Sequence, residues 1–255
     1  MRKAFSLLEL SIVIVIIAII LSASLNIRNI TSNYEMRHVM SELNNYKNIF
    51  EVFYNIYKDI PGDINRGYKL FGDKNCTNHI NSAIYNQGCN GNHNQKINSK
   101  ILNSTDGRES ILAWYHLYQA ELIKFNNNND MNLNNKNVIG GNRMQCNNAP
   151  VQHIGYNIPM LKIRRAGILI DQYNLLDNGY FQISFVVKKG IACEVKDYLG
   201  VFNIMEIEGI DRKYDNENIN SGNIKVTNSE CNDSFNKSKK DKICDLQYNT
   251  IINRN

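Results

Sequence analysis

The sequence predicts an α+β fold in which one long N-terminal helix packs on an antiparallel β-sheet head. Three observations carry this expectation. No Pro or Gly interrupts the chain from Phe5 to Ile60, and Pro61-Gly62 then stops it. Apolar side chains inside that stretch recur in steps of three or four, the mark of a helix with one buried face. Far downstream, Phe181, Ile183, Phe185 and Val187 alternate with Gln182 and Ser184, which is the period of a strand. At 255 residues the chain has room for one well-filled domain with an appendage.

The helix divides in two. Residues 5–25 are predominantly apolar and long enough to cross a bilayer. Arg2 and Lys3 precede them, so residues 1–4 are expected to stay cytoplasmic while the rest of the chain crosses. An ordinary secretory signal also has a basic start and an apolar core, and Ser22-Ala23-Ser24 resembles its small-residue cut site. Glu9 argues against that reading. A carboxylate inside the apolar run costs on the order of 2–3 kcal/mol on insertion scales, and a removable signal has no use for it. A cut between Ala4 and Phe5 supplies a use. It creates an ammonium one helical turn before Glu9, and the carboxylate of one copy can pair with the ammonium of an adjoining one. In a low-dielectric helical bundle that pair sets the axial register.

Residues 26–60 read as the amphipathic half, with Ile27, Ile30, Tyr34, Val39, Leu43, Tyr46, Ile49, Phe50, Phe53 and Tyr57 on one stripe. The two halves together make a rod of about 50 residues, roughly 80 Å long. Residues 61–255 form the head. Thr105-Asp106 supplies a cap for a helix carrying Ile111, Trp114, Leu117 or Tyr118, and Leu122 toward the core. The single Trp reads as packing. Gly167–Ile170, Tyr180–Val187 and Gly190–Val195 read as strands of an antiparallel sheet against the long helix. A second amphipathic helix is expected over Val195–Ile210, with Tyr198, Leu199, Phe202 and Met205 on its apolar side.

Lys3-Ala4 before Phe5-Ser6-Leu7-Leu8-Glu9 and an aliphatic run resembles the leader of type IV prepilins and type II secretion pseudopilins. The family usually has Gly where this chain has Ala4. The resemblance extends, less specifically, to Ile60-Pro61-Gly62-Asp63, Cys89-Asn90-Gly91-Asn92, the Trp114 segment, Ile210–Asp215 and Ser221–Val226. It implies a pilin-like fold in which the long helix is membrane anchor and polymer core. It also implies removal of residues 1–4, N-methylation of Phe5 and assembly through Glu9. The implied partners are a prepilin peptidase, an inner-membrane assembly platform, the membrane itself, and copies of this chain or other pilins. The implied location is the inner membrane, single-pass, with the head in the periplasm and the subunit extracellular or in a pseudopilus after assembly. The function implied is structural, in a pilus-like filament or a secretion pseudopilus. The alternative is a monomeric, membrane-anchored ligand-binding protein.

Composition adds limits. Lys and Arg total 29 against 24 Asp and Glu, with no block denser than Lys237-Ser238-Lys239-Lys240, so charge alone gives no reason to expect a nucleic-acid partner. Asn126–Asn129 and other Asn-rich stretches read as solvated loops. Six cysteines, Cys76, Cys89, Cys146, Cys193, Cys231 and Cys244, suit disulfides in an exported head. Cys76 and Cys89 flank a short loop and read as a bridge. Their neighbours His79 and His93 complete the residue types of a zinc site, but in a nonstandard order. Cys146 with Cys193 is a natural further pair, and the family resemblance implies Cys231 with Cys244, while the sequence leaves the connectivity open among the fifteen that six cysteines permit. Asp211, Asp215 and Glu217 have the oxygen chemistry for calcium, a site that related pseudopilins carry in this region. Arg212 and Lys213 oppose a cation there, and a solvated turn is preferred. No nucleophile elbow, phosphate loop or paired metal histidines occur, so no enzyme and no cofactor is expected. His38, His116 and His153 read as structural or solvent-facing, with His153 in a loop.

Overall fold

A computed structural model of the chain describes residues 7–72, 90–98, 109–125, 152–154, 158–175, 181–188, 191–192, 200–226 and 243–252. Among these, helix and antiparallel sheet combine in an α+β arrangement. The first helix, α1 (Leu7–Tyr57), runs 51 residues without a break. A short helix α2 (Gly67–Phe71) follows, then strand β1 (Lys96–Asn98), helix α3 (Glu109–Gln119) and strand β2 (Gln152–His153). The remainder is β3 (Gly167–Leu175), β4 (Phe181–Lys188), β5 (Ile191–Ala192), β6 (Phe202–Asn203), α4 (Ile204–Tyr214), β7 (Ile224–Val226), β8 (Ile243–Cys244) and β9 (Leu246–Ile252).

The main sheet has the order β1-β3-β4-β9-β7, and every pairing in it is antiparallel. Its centre is β4, where Ile183, Ser184, Phe185, Val186 and Val187 are all buried. Over these residues both faces of the strand are covered, and the polar exception is satisfied: Ser184 Oγ donates to Asn249 Oδ1 of β9 at 2.5 Å.

The C-terminal half of α1 packs on α3, α4 and β9. Met36, Val39, Met40, Leu43, Phe50 and Phe53 are buried there, four of them from the expected stripe. Tyr34 corrects that stripe. It is 64% exposed, and the neighbouring Met36 and Met40 occupy the core in its place. Trp114 of α3 is wholly buried, edge-on to Tyr46 at 5.3 Å and to Phe50 at 5.8 Å, and stacked on Phe185 at 6.3 Å. Aromatic contacts of this geometry join helix to sheet through one side chain.

Three further expectations change. Helix α3 is buried all round from Glu109 to Leu117, not along one stripe, because α1 and the sheet enclose it. The proposed cap at Thr105-Asp106 lies outside the described residues. Helix α4 begins at Ile204, not Val195, and Phe202 belongs to β6. Asn203 is its N-cap, and with Glu206 it closes a reciprocal capping box at 2.9 Å in each direction. The buried face of α4 is then Ile207 and Ile210, and Met205 points to solvent. His153 lies in β2, paired with Ile191, and not in a loop.

Candidate functional site

The feature that an isolated chain cannot accommodate is the first part of α1. Over residues 7–21 every side chain is exposed, and Leu7, Ile14, Ile19 and Leu21 show the pattern at 86%, 60%, 63% and 61%. The apolar surface wraps the helix instead of forming a stripe. Such a helix belongs inside lipid or protein. Glu9 stands in its first turn and is the one charged residue in this stretch. Ser11, the other polar residue, donates its hydroxyl to the Leu8 carbonyl at 2.8 Å, so its polar group is satisfied within the helix.

Among the described residues no helix is long and apolar enough to cross a membrane. Residues 7–21, whose side chains are described, number fifteen and span about 22 Å against a hydrocarbon core of about 30 Å. In the sequence the apolar run begins at Phe5 and continues to Leu25. The expected processing residues Ala4 and Phe5 lie outside the described residues, as do Cys76, Cys89, Cys146, Cys193 and Cys231. Cys244 is described. It is fully buried in β8 and disulfide-bonded, its partner lying outside the described residues.

At the far end of α1, Pro61-Gly62-Asp63 forms a junction. Gly62 has φ 95°, and a Cβ there would lie 2.4 Å from the Glu109 carbonyl of α3. Its N–H donates to His116 Nδ1 at 2.8 Å, which assigns the buried His116 a structural task. Asp63 is wholly buried, and its two oxygens accept the backbone N–H groups of Asn94 at 3.0 Å and Gln95 at 2.7 Å. Burial nevertheless wins over these bonds and over His93, and pushes the Asp63 carboxyl from the ordinary 3.8 up to about 6. His93 lies 3.5 Å from Asp59. Cys76, His79 and Cys89, the other members of the zinc pattern, are outside the described residues.

The acidic trio of the C-terminal region is not assembled for a cation. Asp215 spends its Oδ2 on the N–H groups of Asn223 at 2.5 Å and Ile224 at 2.9 Å. Asp211 is buried within α4, and Glu217 is exposed at φ 63°. Burial, then the charge of Asp215, raises the Asp211 carboxyl. The backbone N–H groups of Asn216 and Asn218 face it and oppose the rise without reaching full hydrogen-bond geometry. Among the described residues no group of three or more His, Cys, Asp or Glu side chains is placed to hold a metal.

One polar assembly had no counterpart in the sequence reading. Arg164 projects from the loop before β3. Its Nη2 lies 2.6 Å from Glu35 of α1 and 2.6 Å from Glu206 of α4. Its Nη1 donates to Glu206 and to the Val201 carbonyl, and its guanidinium sits over the Phe202 ring at 5.2 Å. Nothing in Lys162-Ile163-Arg164-Arg165 announces this, because each of its partners is distant in sequence. In comparisons with known proteins, no family model, no curated protein and no solved structure matches the chain.

Proposed function

We propose that this chain is a structural subunit of a type IV pilus-like filament or type II secretion pseudopilus, anchored and assembled through α1. The observation that carries the reading is the all-round apolar surface of residues 7–21 with the single carboxylate of Glu9. That surface requires cover from outside the chain. A bilayer supplies it before assembly, and the corresponding helices of neighbouring subunits supply it afterwards. Residues 5–25 as one helix reach about 31 Å, enough for the hydrocarbon core.

Within this reading the fold is pilin-like, with residues 5–25 as anchor and polymer core, residues 26–60 as the half docked on the head, and residues 61–255 as the head outside the inner membrane. A prepilin peptidase removes residues 1–4 and methylates the amine of Phe5, and an inner-membrane platform adds the subunit to the filament. Glu9 is tolerated in the apolar run because the ammonium of a neighbour's Phe5 neutralises it there. The subunit itself needs no catalytic residue.

The test is Glu9→Val in the full chain. Valine removes the charge and keeps the helix apolar, so the protein stays in the membrane fraction. Recovery in sheared filaments or cross-linked multimers is expected to fall by more than about tenfold per lost ion pair. Unchanged assembly would refute the register role. A chain that forms no multimer even with Glu9 intact would instead be the anchored monomer.

A further inference from the structure

We propose that Arg164 is a positioning residue for assembly, the clamp that sets where and at what angle α1 leaves the head. The inference rests on the filament reading for its purpose, but the clamp itself is a matter of geometry. Glu35 lies one residue before Met36, where burial of the described α1 side chains begins. Among the described α1 side chains held by the head it is the one nearest the N-terminal end, where a hold has most leverage. Arg164 takes that hold with Nε at 2.8 Å from Glu35 Oε2, while its two terminal nitrogens grip Glu206 in a bidentate pair at 2.9 and 2.6 Å. Helix, head helix and the β6 approach are therefore tied at one planar group.

The grip is rigid on the head side. Glu206 Oε2 also accepts the Asn203 N–H in the capping box, so the carboxylate that holds Arg164 is itself fixed to the first turn of α4. The loop that presents Arg164 is closed by Leu161 N–H donating to the Ala166 carbonyl at 2.7 Å. Within it Arg164 and Arg165 both adopt left-handed backbone, at φ 62° and 49°. Two successive non-glycine residues in that region are costly, and such strain persists where surrounding contacts over-determine it. An asparagine or glycine would relieve the backbone. Only arginine offers a fork broad enough for two carboxylates and a carbonyl at once.

The leverage explains why this matters. From Glu35 to Leu7 the helix extends about 42 Å, so a tilt of about 10° at the exit moves its tip by about 7 Å. That is close to the spacing of packed helices, about 8–10 Å. A loose exit would therefore put Glu9 beside the wrong neighbour. Without the clamp the pivot shifts toward Val39 and Leu43, the next wholly buried contacts.

The experiment uses the full chain in detergent micelles, with spin labels on Ala18→Cys and Glu208→Cys, both exposed in the isolated subunit. Arg164→Lys keeps the charge and the backbone strain but loses the fork. Glu35→Gln weakens only the helix arm and leaves the Glu206 pair intact. Both are expected to broaden the interspin distance distribution while the melting temperature moves by only a few degrees, and to reduce recovered multimers about tenfold. A distribution as narrow as the parent's in Glu35→Gln would overturn the proposal, whether or not Arg164→Lys folds. Multimers absent from the parent chain itself would sink the filament reading, and the distance distributions would still decide whether Arg164 is a clamp.

Discussion

Asp63 shows how a single residue can be legible as a position and illegible as chemistry. Pro61-Gly62-Asp63 reads as a turn in any sequence, but the burial of the carboxylate depends on Gly91, Asn94 and Gln95 arriving beside it. With its folded value raised to about 6, the proton binds the native chain more tightly than the unfolded one. Stability from this group is therefore full below about pH 4 and is lost as pH rises through about 6, by on the order of 2–3 kcal/mol. Urea unfolding at pH 5 and pH 7 should show the native state losing stability with rising pH. Asp63→Asn should flatten that slope while lowering stability at both pH values, because each carboxyl oxygen accepts one N–H and the amide replaces one of those oxygens with a donor NH2. A slope unchanged in the variant would assign the dependence to other groups. In the C-terminal region, Asp215 is likewise a position whose chemistry is set by the fold, since its carboxylate is engaged by the backbone N–H groups of Asn223 and Ile224.

At the scale of elements, α1 was the most legible part. Fifty-one residues without Pro or Gly leave the backbone no reason to turn, and apolar spacing shows which side of the second half is covered. The start of α4 departs from the apolar period for a physical reason: Tyr198, Leu199, Phe202 and Met205 satisfy a helical period, but the capping box of Asn203 and Glu206 starts the helix at Ile204. That box was in the sequence, and weighing it above the period would have found the boundary. Asn203→Ala should cost about 1 kcal/mol, seen as a lower melting temperature and faster hydrogen exchange in the first turn of α4. Exchange confined to the parent rate would mean that Arg164 alone secures Glu206. Helix α3 and β4 were found but their environments were not, because a period identifies one buried face and says nothing of what covers the other.

For the whole molecule, the proposed function makes a demand on covalent structure that the fold does not. Co-expression with a prepilin peptidase is expected to yield a chain lacking Met1–Ala4 and carrying one additional methyl group at Phe5, measured by intact mass. Retention of Met1, or a cut near Ala23, would overturn the processing scheme even if the protein were found in membranes. Under the proposed function, anchor, docked half and head would form one lever, in which the apolar end would make the contacts between subunits and the proposed Arg164 clamp would direct it.

What the sequence by itself determined is the part governed by local physics. A helix without breakers, a carboxylate in an apolar run, and a strand with period two depend on neighbours a few residues away, so they can be read along the chain. Tertiary structure alone decided where charges meet. Glu35, Arg164 and Glu206 are separated by 129 and 42 residues and converge only when α1, the loop before β3 and α4 pack together. Burial likewise belongs to the fold, because Asp63, His116 and Ser184 are polar residues whose desolvation is imposed by elements that approach from elsewhere in the chain.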